Sequence, residues 1–240
     1  MFKSKFDLIK INIIKFSEQI NRIGNLIKRL PFYTLEYSNR FIREESRNRY
    51  IVTQYFLREF LSHFLQIDFD NVAISYSKSG KPYLSGKINS NLKFNYSHSG
   101  DYIIYAFTSD DEIGVDIEEI KDIPEFDELS RTHFSDEEQS IYFELKNPDE
   151  KKKLFYRIWT RKEALLKAAG SGITIDLKSL TVLKMNEKNA NQIKIKFLTK
   201  DYLISDIPLD INYASSVAIN SHSYKEIFVY DKDFTLLKKI

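Results

Sequence analysis

The stretch Gly114-Val115-Asp116-Ile117-Glu118-Glu119-Ile120 reads as a β-strand, because Val115, Ile117 and Ile120 are β-branched and polar residues at first alternate with them. Successive side chains on a strand point to opposite faces, so Asp116 and Glu118 share one face, with Val115 and Ile117 beneath them. Two neighbouring carboxylates repel each other. On a solvated edge they carry no further meaning, whereas on a buried face the repulsion must be relieved by a proton or a cation.

Downstream, Ser135 followed three residues later by Glu138 is a capping-box pattern and predicts a helix running towards Leu145. A second long helix is predicted over Asp149 to Ala169, closed by Gly170 and Gly172. On it Trp159, Glu163 and Lys167 are spaced four apart and share a face. That stripe is either an ordinary ion pair beside a half-buried Trp, or a third metal carboxylate followed by a cation for phosphate. Short strands are expected at Leu180 to Leu183, Gln192 to Leu198, Tyr213 to Ile219 and Glu226 to Tyr230.

Upstream, Ile42 to Leu65 places Ile51, Tyr55, Leu57, Phe60, Leu61 and Phe64 at helical spacing and puts Arg47, Arg49 and Arg58 on the other face. The period then changes to two, with strands expected at Val72 to Tyr76, Leu92 to Tyr96 and Tyr102 to Thr108, and a turn at Ser79-Gly80-Lys81-Pro82. The segment Phe94-Asn95-Tyr96-Ser97-His98-Ser99-Gly100 sets an imidazole between two hydroxyls at a strand end, a combination that can hold an anion. The order of elements gives an α+β protein of two similar lobes.

Composition excludes several classes. The 240 residues carry a net charge of +2, so no global field marks a dedicated nucleic-acid binder. No cysteine is present, which removes disulfides, thiolate metal sites and a Cys nucleophile. Lys3, Lys5, Asp7, Lys10 and Lys15 interrupt the first residues, so a secretory signal is not expected, and no run reaches the length of a membrane span. A cytoplasmic protein is the expectation.

Taken in order, GKP (Gly80 to Pro82), FNYSHSG (Phe94 to Gly100), GVDIE (Gly114 to Glu118), the Phe134-Ser135 pair with Glu138, and WTRKEALLKAAGSG (Trp159 to Gly172) resemble the 4'-phosphopantetheinyl transferases of the surfactin-synthetase-activating type. The resemblance spans about Arg40 to Ile173. It implies transfer of the 4'-phosphopantetheine arm of coenzyme A to a serine of an acyl or peptidyl carrier protein of fatty-acid, polyketide or nonribosomal-peptide synthesis. The reaction would use Mg²⁺, with Mn²⁺ as an alternative, and release 3',5'-ADP. The implied fold is a pseudo-dimer of two α+β lobes with the active site in the cleft between them. The N-terminal lobe would span residues 1–110 and make the coenzyme A contacts, and the C-terminal lobe, residues 111–240, would hold the metal and dock the carrier. A single chain supplying both halves of the cleft implies a monomer.

By the same resemblance, Asp116, Glu118 and Glu163 are metal ligands. Ile117 stands where some relatives carry another acid. Lys167, Ser97 and His98 contact the pyrophosphate, Lys81 the nucleotide end, and Arg40 the 3'-phosphate, with Arg47 or Arg49 assisting. Tyr37 and Tyr50 depart from the family pattern there. Glu138 matches the family's general base, with Glu163 or a metal-bound water as competitors, and Lys162 has a structural role or lies at the pantetheine channel. Lys121, Arg131 and His133 are candidates for the carrier-docking surface. A Mg²⁺-dependent phosphohydrolase acting on a nucleotide or on the coenzyme A pyrophosphate is the alternative that the carboxylates alone leave open.

Overall fold

The computed structural model describes residues 8–86, 88, 90–170, 176–187, 189–221 and 225–240. Gly172, expected to close the second long helix, and the first seven residues lie outside them. Two sheets are each backed by one long helix, giving the layer order helix, sheet, sheet, helix.

The first sheet has the order β11-β10-β1-β5-β4, formed by β1 (Ile9–Lys15), β4 (Leu92–Ser99), β5 (Tyr102–Ser109), β10 (Ile227–Tyr230) and β11 (Leu236–Lys239). Its outer face is covered by α3 (Glu44–Leu65), with α1 (Ile23–Ile27) and α2 (Phe32–Ser38) beside it. Between α3 and β4 lies a hairpin of β2 (Ile74–Tyr76) and β3 (Pro82–Leu84). The second sheet has the order β6-β9-β8-β7, from β6 (Ile113–Glu119), β7 (Gln192–Phe197), β8 (Lys200–Asp206) and β9 (Tyr213–Ile219). On it pack α4 (Phe126–His133), α5 (Asp136–Glu144) and α6 (Pro148–Ala169). α3 and α6 are each 22 residues long and each closes on a residue in the left-handed region, Gln66 and Gly170, so the lobes echo one another.

The inner faces of the sheets meet in an apolar cluster that includes Ile9, Ile11 and Ile104 from one and Val115, Ile117 and Val217 from the other. Ile117 is fully buried there, as the strand alternation requires. The capping box forms as expected: Ser135 Oγ accepts from Glu138 N, and Glu138 Oε2 accepts from Ser135 N at 2.9 Å.

Two expectations are corrected, and two features of the fold were not foreseen. The end of the chain crosses back over the 110/111 division, because β10 pairs in parallel with β1 and completes the first sheet. Arg58 does not lie on an exposed face of its helix. It is 1 % exposed and donates to Gln54 O, Gln54 Oε1, Tyr33 OH and Thr34 Oγ1. Leu180 to Leu183 is not a strand, since side chains replace the ladder: Val182 N donates to Glu138 Oε1, Arg161 to Val182 O, and Lys162 to Leu180 O. Finally, β1 was missed because an inner strand covered on both faces loses the alternation that betrays a strand.

Candidate active site

β6 and α6 touch through their backbones. A Cβ built on Gly114 would lie 2.2 Å from Ala164 O and 2.3 Å from Ala168 N. The absence of a side chain therefore lets the helix settle on the strand, and the residues that alternate with Gly114 on the same face, Asp116 and Glu118, meet the helix residues Glu163 and Lys167.

Lys167 Nζ donates to Asp116 Oδ1 at 2.6 Å, to Ser97 Oγ at 3.1 Å and to Val115 O at 3.2 Å. Asp116 is 3 % exposed, and its second oxygen, Oδ2, is buried without a partner. Burial, then the charge of Asp116, raises Glu118 above the usual carboxylate range, against the Ser99 hydroxyl that donates to it at 2.8 Å. Glu163 is raised by the same two causes, with Lys167 opposing them. The three carboxylates thus sense one another across a half-buried space.

The other wall comes from β4, which runs beside β6 in the same direction. Asn95 Oδ1 accepts from Val115 N at 3.1 Å, Ser97 Oγ donates to Asp116 Oδ1, and Ser99 Oγ accepts from Glu119 N. Side chains of Asn95, Ser97 and Ser99, two residues apart, thus join β4 to β6 across the lobes. The sequence shows these three at strand period, yet only the meeting of the two strands gives Asn95 its role. The His98 ring reaches solvent at the rim, and its charged form is disfavoured first by partial desolvation and then by Arg49 and Lys167. Arg49 Nη1 donates to Gly100 O at 2.6 Å and so pins the end of the Ser97-His98-Ser99-Gly100 segment.

Lys81 lines the same cavity as Gly80, Pro82, Tyr96, Glu163, Lys167 and Gly170. Arg40 and Arg47 are not at this cluster: Arg40 is exposed, with its guanidinium 5.0 Å from the Tyr37 ring centre, and Arg47 donates to Phe41 O. Glu138 is also elsewhere. It is 0 % exposed, and both its oxygens are engaged, Oε1 by Val182 N and Oε2 by Ser135 N and Lys162 Nζ. Lys162 is likewise buried and donates to His133 O, Leu177 O and Leu180 O. Arg131 lies over the Phe143 ring of α5, and His133 meets Trp159 of α6 edge to face.

Glu119 points to the opposite side from Asp116 and pairs with Lys121. Glu119→Gln is therefore expected to leave activity within about twofold of wild type, since exposed pairs contribute little. A severe loss of divalent-cation affinity in that variant would contradict the strand geometry.

Among the described residues, no three His, Cys, Asp or Glu side chains are drawn together as tightly as a metal site requires. Lys167 stands against Asp116 instead, while the unpartnered Asp116 Oδ2 and the two raised glutamates form a set of hard oxygen donors suited to a small divalent cation. No described helix is long and apolar enough to cross a membrane.

Residues 112–216 match the model of the 4'-phosphopantetheinyl transferase superfamily, and residues 22–110 match that of the 4'-phosphopantetheinyl transferase N-terminal region. The chain is 33% identical over 162 residues to the 4'-phosphopantetheinyl transferase HetI of Nostoc sp., covering 67% of this chain and 68% of that protein. It is 29% identical over 191 residues to the 4'-phosphopantetheinyl transferase Sfp of Bacillus subtilis, covering 80% and 82%. A putative 4'-phosphopantetheinyl transferase of Synechocystis sp. is 32% identical over 56% of this chain and 54% of its own length. With the strand carboxylates, the helix glutamate and lysine, and the serine–histidine segment gathered at one cleft between the lobes, the chain belongs to the 4'-phosphopantetheinyl transferases.

Proposed function

We propose that this transferase moves the 4'-phosphopantetheine arm of coenzyme A to a serine hydroxyl of an acyl or peptidyl carrier protein, depends on Mg²⁺ or Mn²⁺, releases 3',5'-ADP and acts as a monomer. The observation that carries the reading is the buried, unpartnered Asp116 Oδ2 beside Glu118 and Glu163, with the Lys167 ammonium alongside. A buried polar atom with no partner in an otherwise bonded cluster is expected to have one when the site is loaded. Asp116, Glu118 and Glu163 would hold the cation, which would supply positive charge to offset that of the leaving 3',5'-ADP.

The chain's own groups do the rest. Lys167, Ser97 and His98 hold the pyrophosphate from two sides, fixing the phosphorus for in-line attack, so that positioning supplies most of the rate. Of the two glutamates expected to act as base, Glu163 alone faces the cleft. Its carboxylate would accept the serine proton, and a cation beside it would keep it ionised at neutral pH. Lys81 meets the nucleotide end of the donor. Arg40 serves the 3'-phosphate, with Arg47 or Arg49 assisting. Lys121, Arg131 and His133 serve the carrier.

The test is incubation with coenzyme A, Mg²⁺ and an apo carrier, followed by mass measurement. The carrier should gain one phosphopantetheine arm. Asp116→Ala should lower the rate about 10²-fold or more, because cation-mediated charge stabilisation provides several kcal/mol. Transfer at the wild-type rate in Asp116→Ala would refute the carboxylate assignment.

A further inference from the structure

Glu112, in the residues between β5 and β6, reads from the sequence as part of a turn. In the structure it is the hub of a charged cluster across the lobe junction. Glu112 Oε2 accepts from Lys81 Nζ at 2.6 Å and Oε1 pairs with Lys93 Nζ at 3.0 Å, so both of its oxygens are fixed. Lys81 Nζ also donates to Ala168 O at 2.9 Å, a carbonyl in the last turn of α6, where the helix presents partial negative charge.

An ammonium has three N–H groups. Two of those of Lys81 are bound to acceptors on the junction side, and its side chain is 16% exposed. Lys81 also lines a cavity with Gly80, Tyr96, Glu163, Lys167 and Gly170, and one N–H is left over for it. The backbone behind it is equally fixed: Lys81 N donates to Ser77 Oγ, Ser77 N donates to Lys81 O, and Gly80 takes the left-handed conformation that tightens the turn. A lysine held by two acceptors and a tight turn has one direction left in which to donate.

We infer that Glu112 is a positioning residue that aims Lys81 into the cavity, and thereby sets the affinity for the nucleotide end of coenzyme A without taking part in recognition of the carrier. The inference rests on the reading of Lys81 as a coenzyme A contact. Glu112 and the ligand occupy different N–H groups of the same ammonium, so they assist one another. Charge balance supports this: burial lowers the Lys81 ammonium below its usual range and the Glu112 carboxylate opposes that, while burial of Glu112 is outweighed by Lys81 and Lys93, which hold it below its own usual range.

The experiment is steady-state transfer kinetics with coenzyme A and an apo carrier varied in turn, on Glu112→Gln, Glu112→Asp and Lys81→Met, together with calorimetric titration of coenzyme A into each protein. Glu112→Gln should raise KM and Kd for coenzyme A about tenfold, the effect of misplacing one charge-assisted hydrogen bond, while the carrier KM stays put. Glu112→Asp should recover part of the affinity because the counter-charge returns. A merely structural role would instead lower kcat and thermal stability together and leave the two KM values moving in step. If Lys81→Met weakens coenzyme A and Glu112→Gln does not, the positioning role is overturned while the reading of the cavity stands. If neither weakens it, the cavity is not the nucleotide end and both are overturned.

Discussion

Lys162→Met is expected to lower the free energy of unfolding by about 3–5 kcal/mol, the range for removing one partner of a buried ion pair. Lys162 and Glu138 are each 0 % exposed and lie 2.6 Å apart. The ammonium also satisfies three carbonyls, of His133, Leu177 and Leu180, that nothing else bonds so closely. Met fills the volume but leaves a carboxylate and three carbonyls without their cation, and the desolvation cost of bare buried groups dominates. Urea unfolding followed by fluorescence of Trp159 measures the loss. The double variant Lys162→Met/Glu138→Leu should recover part of it, because the stranded charge is then gone. A loss in the double variant equal to the sum of the two single ones would show that the residues are not energetically coupled. The same pair separates structure from chemistry. Glu138→Gln should lose stability while keeping much of the activity of its folded fraction, and a stable Glu138→Gln with abolished turnover would return Glu138 to the role of base.

Gly114→Ala should destabilise the second lobe by more than about 3 kcal/mol, above the usual range for overpacking, because the colliding atoms are backbone and cannot swing aside. The helix would have to retreat from β6, taking Glu163 and Lys167 away from Asp116. Loss of transfer in whatever protein still folds should therefore accompany the drop in melting temperature, since misplacement of reacting groups by an ångström costs orders of magnitude in rate. A Gly114→Ala protein with near-native stability and activity would show that α6 does not need the close approach seen at Ala164 O and Ala168 N.

The sequence disclosed the site better than it disclosed the supports of the site. Asp116 and Glu118 were legible because a strand has a period of two, and Glu163 with Lys167 because a helix repeats near four; each pair is local. Glu138 reads two ways in the sequence, because an N3 glutamate of a capping box and a catalytic acid are the same residue type, and its partner Lys162 comes from another helix. Leu180 to Leu183 misled for a related reason, its backbone being satisfied by side chains of α5 and α6 rather than by a neighbouring strand. Arg58 was assigned to the surface by charge alone, and only the Gln54, Tyr33 and Thr34 oxygens around it make burial tolerable. Long-range pairings, such as Asn95 with Val115 or Glu112 with Lys81, have no local signature at all.

The parallel pairing of β10 with β1 also has a kinetic meaning. It joins segments from near the two ends of the chain, the kind of contact that raises contact order and slows folding. During synthesis the first sheet has β4, β5 and β1 in hand while the edge of β1 stays bare, and it cannot be finished until Ile227 to Tyr230 emerge. The first sheet is therefore finished last, after every strand of the second has been made.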